Sequence, residues 1–196
     1  MLCGIDEAGR GPLAGPVCAA SVILPDNFSV CDLDDSKKLS KASREKLRAI
    51  IHLKAKACGV GWASPEEIDE LNIHNATLLA MKRAFENMLH TAEISLKYSL
   101  QAADISVIVD GLFVPDISVP CTALVKADTK IPEVMAASIV AKTARDRLME
   151  YYGIFYPEYG YENHKGYPTK AHRQAIFQFG CSPIQRLSFR VKSCLD

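Results

Sequence analysis

Apolar residues fall along this chain in two rhythms. Short runs at 2–5 and 16–24, separated by the glycine- and proline-rich segment 9–15, have strand length and read as two strands joined by a turn, a hairpin. Ser40 can cap a helix reaching about Lys56, in which Leu47, Ile50, Ile51 and the aliphatic stem of Lys54 share one face. Residues 57–63 give a third strand. Ser64, Pro65 and Glu67 then form a start signal, with Ser64 as cap, Pro65 at the first helical position and Glu67 reaching back as a capping box. From Asn75 to about His90, Leu78, Leu79, Met81, Ala84, Phe85, Met88 and Leu89 recur at three- and four-residue intervals, the mark of a helix packed on a sheet. The continuous apolar runs 105–109 and 119–125 read as buried strands, ended by Asp110-Gly111 and Lys126-Ala127-Asp128. Pro132 and Glu133 open a helix to about Tyr152, and a further helix spans 169–179 until Gly180 stops it. An antiparallel start followed by βαβ-like units predicts an α/β fold, a mixed sheet with helices on its faces and a helical C-terminal segment.

Length bounds this picture. At 196 residues the chain can bury one sizeable core and is short for two full domains, so 1–152 is expected as a core and 153–196 as a helical appendage of the same unit. The longest apolar runs fall well short of the ~20 residues that span a bilayer, and the start shows no basic n-region or cleavage site. A cytoplasmic protein is expected. Seven cysteines, at 3, 18, 31, 58, 121, 181 and 194, are odd in number, contain no Cys-x-x-Cys pair and mostly sit in apolar runs, which predicts buried reduced thiols and no zinc site. The formal net charge is zero, but it is unevenly spread. Residues 1–141 hold 14 Lys or Arg against 18 Asp or Glu, whereas 142–193 hold 9 against 4, which makes the C-terminal third the candidate phosphate-binding face.

The acids carry the candidate chemistry. Asp6-Glu7, Asp110 and Asp128 each follow an apolar strand run, and carboxyl ends of strands are where open α/β sheets build their sites. Grouped carboxylates repel one another and lose hydration, so they call for hard divalent cations. Two such ions suffice for phosphodiester hydrolysis without a nucleophilic side chain. That suits a sequence with no Gly-x-Ser-x-Gly elbow and no P-loop. Each acid taken alone is equally a turn former, and Asp6 and Glu7 face opposite ways on a strand unless the chain turns near Gly9.

The segment from Gly4 to Val17, GIDEAGRGPLAGPV, resembles the opening strand and turn of the ribonuclease HII family. Asp35-Ser36-Lys37-Lys38-Leu39-Ser40, Val109-Asp110-Gly111, Lys126-Ala127-Asp128, Ala136 to Lys142 with Arg145-Asp146, and His164 to His172 resemble further family blocks in the family's order. The resemblance covers nearly the whole chain. It implies an RNase H-like fold with a five-stranded mixed sheet flanked by helices, and a catalytic, metal-holding set on Asp6, Glu7, Asp110 and Asp128 with two Mg2+ or Mn2+ ions. It implies that Gly9-Arg10-Gly11 reads the ribose 2′-hydroxyl through its backbone and that Tyr167 stacks on the sugar at the DNA side of the junction. Lys37, Lys38, Lys142, Lys165 and Lys170 are candidates for phosphates, with Ser36 and Thr169 as hydroxyl donors. Asp146 would support a neighbouring basic residue or the acidic site from behind, although a four-residue ion pair with Lys142 explains it equally. His164 and His172 are expected to be structural or phosphate-facing.

The resemblance further implies an endonuclease for the RNA strand of RNA/DNA hybrids and for DNA duplexes with embedded ribonucleotides, with a monomer expected. Gln185 and Leu187 depart from the family's C-terminal pattern, which removes a histidine role there. Arg10, where the related ribonuclease HIII usually has lysine, and a chain opening directly on the acidic strand favour the HII branch. Alternatives are another RNase H-like nuclease, or a catalytically silent module that binds nucleic acid.

Overall fold

The computed structural model describes residues 1–29, 40–95 and 102–191. Strands β1 (Leu2–Ala8), β2 (Val17–Ile23), β3 (Ala57–Ala63), β4 (Ser106–Asp110) and β5 (Cys121–Leu124) form one sheet in the order β3-β2-β1-β4-β5. The β1-β2 and β2-β3 pairs are antiparallel, and the β1-β4 and β4-β5 pairs are parallel. The expected five-stranded mixed sheet is therefore present, with β1 at its centre.

Helix α1 (Lys41–Lys54) starts where Ser40 Oγ accepts from the amide of Ser43 at 3.1 Å. The capping box at the start of α2 (Pro65–Ser95) closes both ways, Ser64 N–H to Glu67 Oε2 at 2.9 Å and Glu67 N–H to Ser64 Oγ at 3.2 Å. This helix breaks at Asn72 (φ 67°, ψ 164°), whose Oδ1 accepts from the amides of His74 (2.9 Å) and Asn75 (3.1 Å) and so caps the second stretch. Odd-numbered residues of β1 and β4 (Cys3, Ile5, Val107, Val109) pack with α2 through Ala80, Ala84, Phe85 and Met88. The opposite face, with Ala8, Ala20 and Val22, packs on α1 and on α3 (Pro132–Phe155) through Ile139 and Val140. A Cβ on Gly4 would lie 2.2 Å from the Glu133 carbonyl carbon, so glycine there lets the start of α3 rest directly on β1.

One expectation needs correcting. β5 is not a buried strand: it closes the sheet at its edge, pairs with β4 alone, and alternates between half-buried and exposed residues. A continuous apolar run reads the same at an edge as in a sheet centre. Of the cysteines described, Cys3 and Cys18 are buried, Cys58 and Cys121 partly so, and Cys181 is exposed; all five are free thiols. No helix among the described residues is long and apolar enough to cross a membrane.

The C-terminal segment, with the short α4 (Tyr161–His164) and α5 (Lys170–Phe179), is joined to the sheet by two buried arginines. Arg145 of α3 donates to the carbonyls of Pro16 (2.9 Å), Ala14 (3.0 Å) and Lys165 (3.0 Å). Arg186 donates to the carbonyls of Gly9 (2.6 Å), Pro12 (2.8 Å), Gly15 (2.8 Å) and Arg10 (3.0 Å). The fork of a guanidinium and its weak hydration suit this use, since carbonyl oxygens in place of carboxylates repay its desolvation. Burial, and then the charge of Arg145, lower the Arg186 pKa to about 9, which leaves it cationic at neutral pH.

A histidine pair completes the joint. His164 and His172 stack with centroids 4.5 Å apart, His172 Nδ1 lies 3.0 Å from the Tyr167 carbonyl, and Gly166 N–H donates to His164 Nδ1 at 3.2 Å. Both are structural. Burial lowers the His172 pKa to about 4, against about 6.5 for a free histidine. The unfolded chain therefore binds the extra proton first, so stability is full above pH 6.5 and falls as pH drops towards 4. From pH 7.5 to pH 5 this group should cost about 2 kcal/mol. Urea titrations at the two pH values should show a smaller loss for His172→Asn than for the wild type; equal losses would contradict this origin.

Candidate active site

The sheet's carboxyl edge brings the strand-end acids together. In the β1-β4 register Ile5 lies opposite Val109, so one residue further Asp6 and Asp110 emerge side by side on the face covered by α3. Asp110 Oδ1 accepts from the amide of Ala127 at 2.8 Å, and Lys126 takes a left-handed turn (φ 59°), which seats the buried Asp128 beside them. One carboxylate oxygen from each of Asp6, Asp110 and Asp128 lies within 4.8 Å of the others. Glu7 stays outside that tight group because it leaves β1 on the opposite face; it reaches the same hollow over the rim.

Burial, and then the charge of Glu7, hold the Asp6 carboxyl well above the ordinary range, although Ser138 and the Glu7 amide (2.7 Å) hydrogen-bond to it. Burial also raises Glu7, against the pull of Arg10, whose Nη1 lies 3.4 Å from Oε1. Glu7 Oε2 is buried without a hydrogen-bond partner. Crowded hard oxygens and a buried carboxylate oxygen lacking a donor are what a divalent cation would satisfy, so the donor set fits Mg2+ or Mn2+.

The hollow, of about 410 Å³, is also lined by Gly9, Arg10, Gly11, Arg44, Ser138, Lys142 and Tyr167. Gly9 has a positive φ (96°), and a Cβ on it would fall 1.9 Å from Arg145 Nε, so the turn is open only to glycine. With the Gly9, Arg10 and Pro12 carbonyls taken by Arg186, the turn's oxygens are held inward. Among the described residues the amides of Arg10 and Gly11 have no internal acceptor, and both residues are exposed. Tyr167 is 42% exposed beside them.

Most of the residues singled out in the sequence thus converge. Others do not. Lys165 bonds to the Glu162 carbonyl and pairs with Glu150 at 3.1 Å, which places it in the scaffold. Thr169 caps α5, its Oγ1 accepting from His172 N–H at 3.2 Å, and Lys170 is exposed on the first turn. Asp146 pairs with Lys142 at 2.7 Å. Ser36, Lys37 and Lys38 lie outside the described residues. The basic C-terminal third is only partly a surface charge, since Arg145 and Arg186 are interior and Arg147 pairs with Glu45. Sequence reasoning missed two polar lining residues, Arg44 and Ser138. Ser138 stands four residues before Lys142 on one helix face, a spacing that could have flagged it.

The comparisons agree with this geometry. Residues 3–192 match the family model for Ribonuclease HII. A Ribonuclease HII of Treponema denticola is 56% identical over 198 residues, covering 98% of this chain and 100% of that protein. Among solved structures, ribonuclease H2 from Pyrococcus horikoshii OT3 superposes with a TM-score of 0.70 at 28% identity, covering 97% of this chain and 94% of that one. Bst-RNase HIII, solved in complex with Mn2+, shares the fold at 18% identity with a TM-score of 0.67, covering 96% and 66%. The fold is RNase H-like, and the chain belongs to the ribonuclease HII family of RNase H nucleases.

Proposed function

We propose that this chain is an endonuclease that cuts the RNA strand of RNA/DNA hybrids and nicks duplex DNA on the 5′ side of an embedded ribonucleotide, leaving 3′-hydroxyl and 5′-phosphate ends. The observation that carries the reading is the grouping of Asp6, Asp110 and Asp128 within 4.8 Å, with Glu7 on the rim of the same hollow. These four residues would hold two divalent ions, which when bound supply Lewis acidity and an activated water at the phosphodiester.

The chain's own groups do the rest. Ser138 orients the Asp6 carboxylate, and the Ala127 amide fixes Asp110 through one oxygen. Lys142 lines the hollow and is steadied by Asp146, in a position to meet a phosphate next to the scissile one. The outward amides of Arg10 and Gly11 suit a ribose 2′-hydroxyl, the group that separates RNA from DNA. Tyr167 would pack on the neighbouring deoxyribose, so the helical C-terminal segment that carries it contributes to substrate binding. Lys170 and Thr169 remain candidates for more distant phosphates. No base-specific contact is expected, and removal of misincorporated ribonucleotides from DNA in the cytoplasm, by a monomer, fits the arrangement.

The test is cleavage of a labelled DNA duplex containing one ribonucleotide beside an all-DNA duplex, with Mg2+, Mn2+ or chelator. The wild type should nick 5′ to the ribonucleotide only with metal and leave all-DNA intact. Asp110→Asn should lose at least about 100-fold in kcat. Cutting of the all-DNA duplex, or full activity in the variant, would overturn the reading. Tyr167→Ala should raise KM on the single-ribonucleotide duplex by about tenfold and affect long hybrids less. An equal loss on both substrates would argue against its place at the junction.

A further inference from the structure

Beyond Asp110 the chain does something unexpected for a strand end beside a polar site. Gly111, at φ 123°, turns it sharply, and Leu112, Phe113 and Val114 follow with exposures of 74%, 57% and 42%. The turn is not slack: Gly111 N–H donates to the Leu124 carbonyl at 3.2 Å, and Pro115 is buried on its far side. Phe113 is further held edge-on by His74 of α2, with ring centroids 4.4 Å apart and planes at 73°. Three consecutive apolar side chains left in water forgo the stabilisation that burial would bring, and such patches mark contact surfaces.

Its position says what it contacts. A second hollow, lined by His74, Leu112 and Phe113, shares Glu7, Arg10 and Asp110 with the carboxylate hollow, so the two are continuous through the acidic rim. Tyr167 stands in the first hollow and Phe113 in the second. Arg10, which lines this second hollow, and Lys126, next to the Ala127 amide that holds Asp110, are exposed cations beside the patch that suit a phosphate backbone.

We propose that the Leu112-Phe113-Val114 turn is a second substrate platform, on which Phe113, steadied by His74, packs against the sugar and base edge of a nucleotide upstream (5′) of the scissile phosphate. The inference rests on the nuclease reading above and names a contact that reading does not contain. An aromatic face paired with nearby cations grips nucleic acid without reading sequence, as an enzyme acting at any embedded ribonucleotide requires. Tyr167 and Phe113 then hold the duplex on either side of the carboxylates.

Steady-state cleavage of the single-ribonucleotide duplex tests this with Phe113→Ala and Phe113→Tyr. The alanine variant should raise KM about five- to tenfold with kcat changed by less than about twofold, and tyrosine should restore KM. A duplex shortened on the 5′ side of the ribonucleotide, so that it no longer reaches the platform, should weaken the wild type to the alanine variant's level and leave that variant unchanged. A KM equal to wild type in Phe113→Ala, or equal losses on truncation in both proteins, would overturn the platform while the nuclease assignment stands. A wild type that cleaves neither duplex would remove the nuclease reading and the platform with it.

Discussion

Mutual repulsion among crowded carboxylates, two of them buried, is the constraint around which this molecule is arranged. Asp6, Asp110 and Asp128 come within 4.8 Å of one another at the end of the sheet's two central parallel strands, and nothing in the packing of the core calls for them there. Burial raises Asp6 well above the ordinary carboxylate range, and the nearby charges of Glu7 and Asp110 add to the shift. The chain answers with a few fixed donors: Ser138 on Asp6 and the Ala127 amide on Asp110. These orient the oxygens without neutralising them. A cation bound among these oxygens would relieve their repulsion, and the relief would appear as affinity.

Next to this acidic rim lies a backbone turn whose shape is set from behind. Seven carbonyls between Gly9 and Lys165 accept from Arg145 and Arg186, so the two arginines join the hairpin, α3 and the C-terminal segment at one point. Asp69 of α2 adds to this by accepting from the amides of Leu187 (2.8 Å) and Ser188 (2.9 Å), just after Arg186. Because the carbonyls are taken inside, the Arg10 and Gly11 amides face outward, and the chemistry of the turn is decided by residues that line no part of the hollow. Losing either guanidinium would strand several buried acceptors, each costing about 1–3 kcal/mol.

How much of this could be read from the sequence depends on the kind of signal. The strand-end acids were legible because an apolar run that stops at Asp110-Gly111 marks both a strand and its carboxyl edge. The Ser64-Glu67 capping box was legible because it is local. The edge position of β5 was not, since pairing order is a property of the whole sheet. Nor could the count of basic residues in the C-terminal third distinguish Arg145 and Arg186, which are interior, from Lys170, which is exposed. Alternation along β1 correctly warned that Asp6 and Glu7 leave on opposite faces; only the structure shows Glu7 reaching the hollow from the α2 side. Arg44 and Ser138 escaped notice because each enters the site from a different helix, by tertiary packing.

Thermal unfolding of the wild type and Asp110→Asn, each in chelator and in millimolar Mn2+ or Mg2+, reads out the repulsion among the carboxylates. Asparagine keeps an oxygen for the Ala127 amide and removes one like charge. In chelator the variant should therefore melt at or above the wild type. The metal should raise the wild-type Tm by a few degrees through ligand binding to the native state and raise the variant's far less. A wild type that melts higher than Asp110→Asn in chelator and gains nothing from either ion would contradict this, because the carboxylates would then be stable on their own.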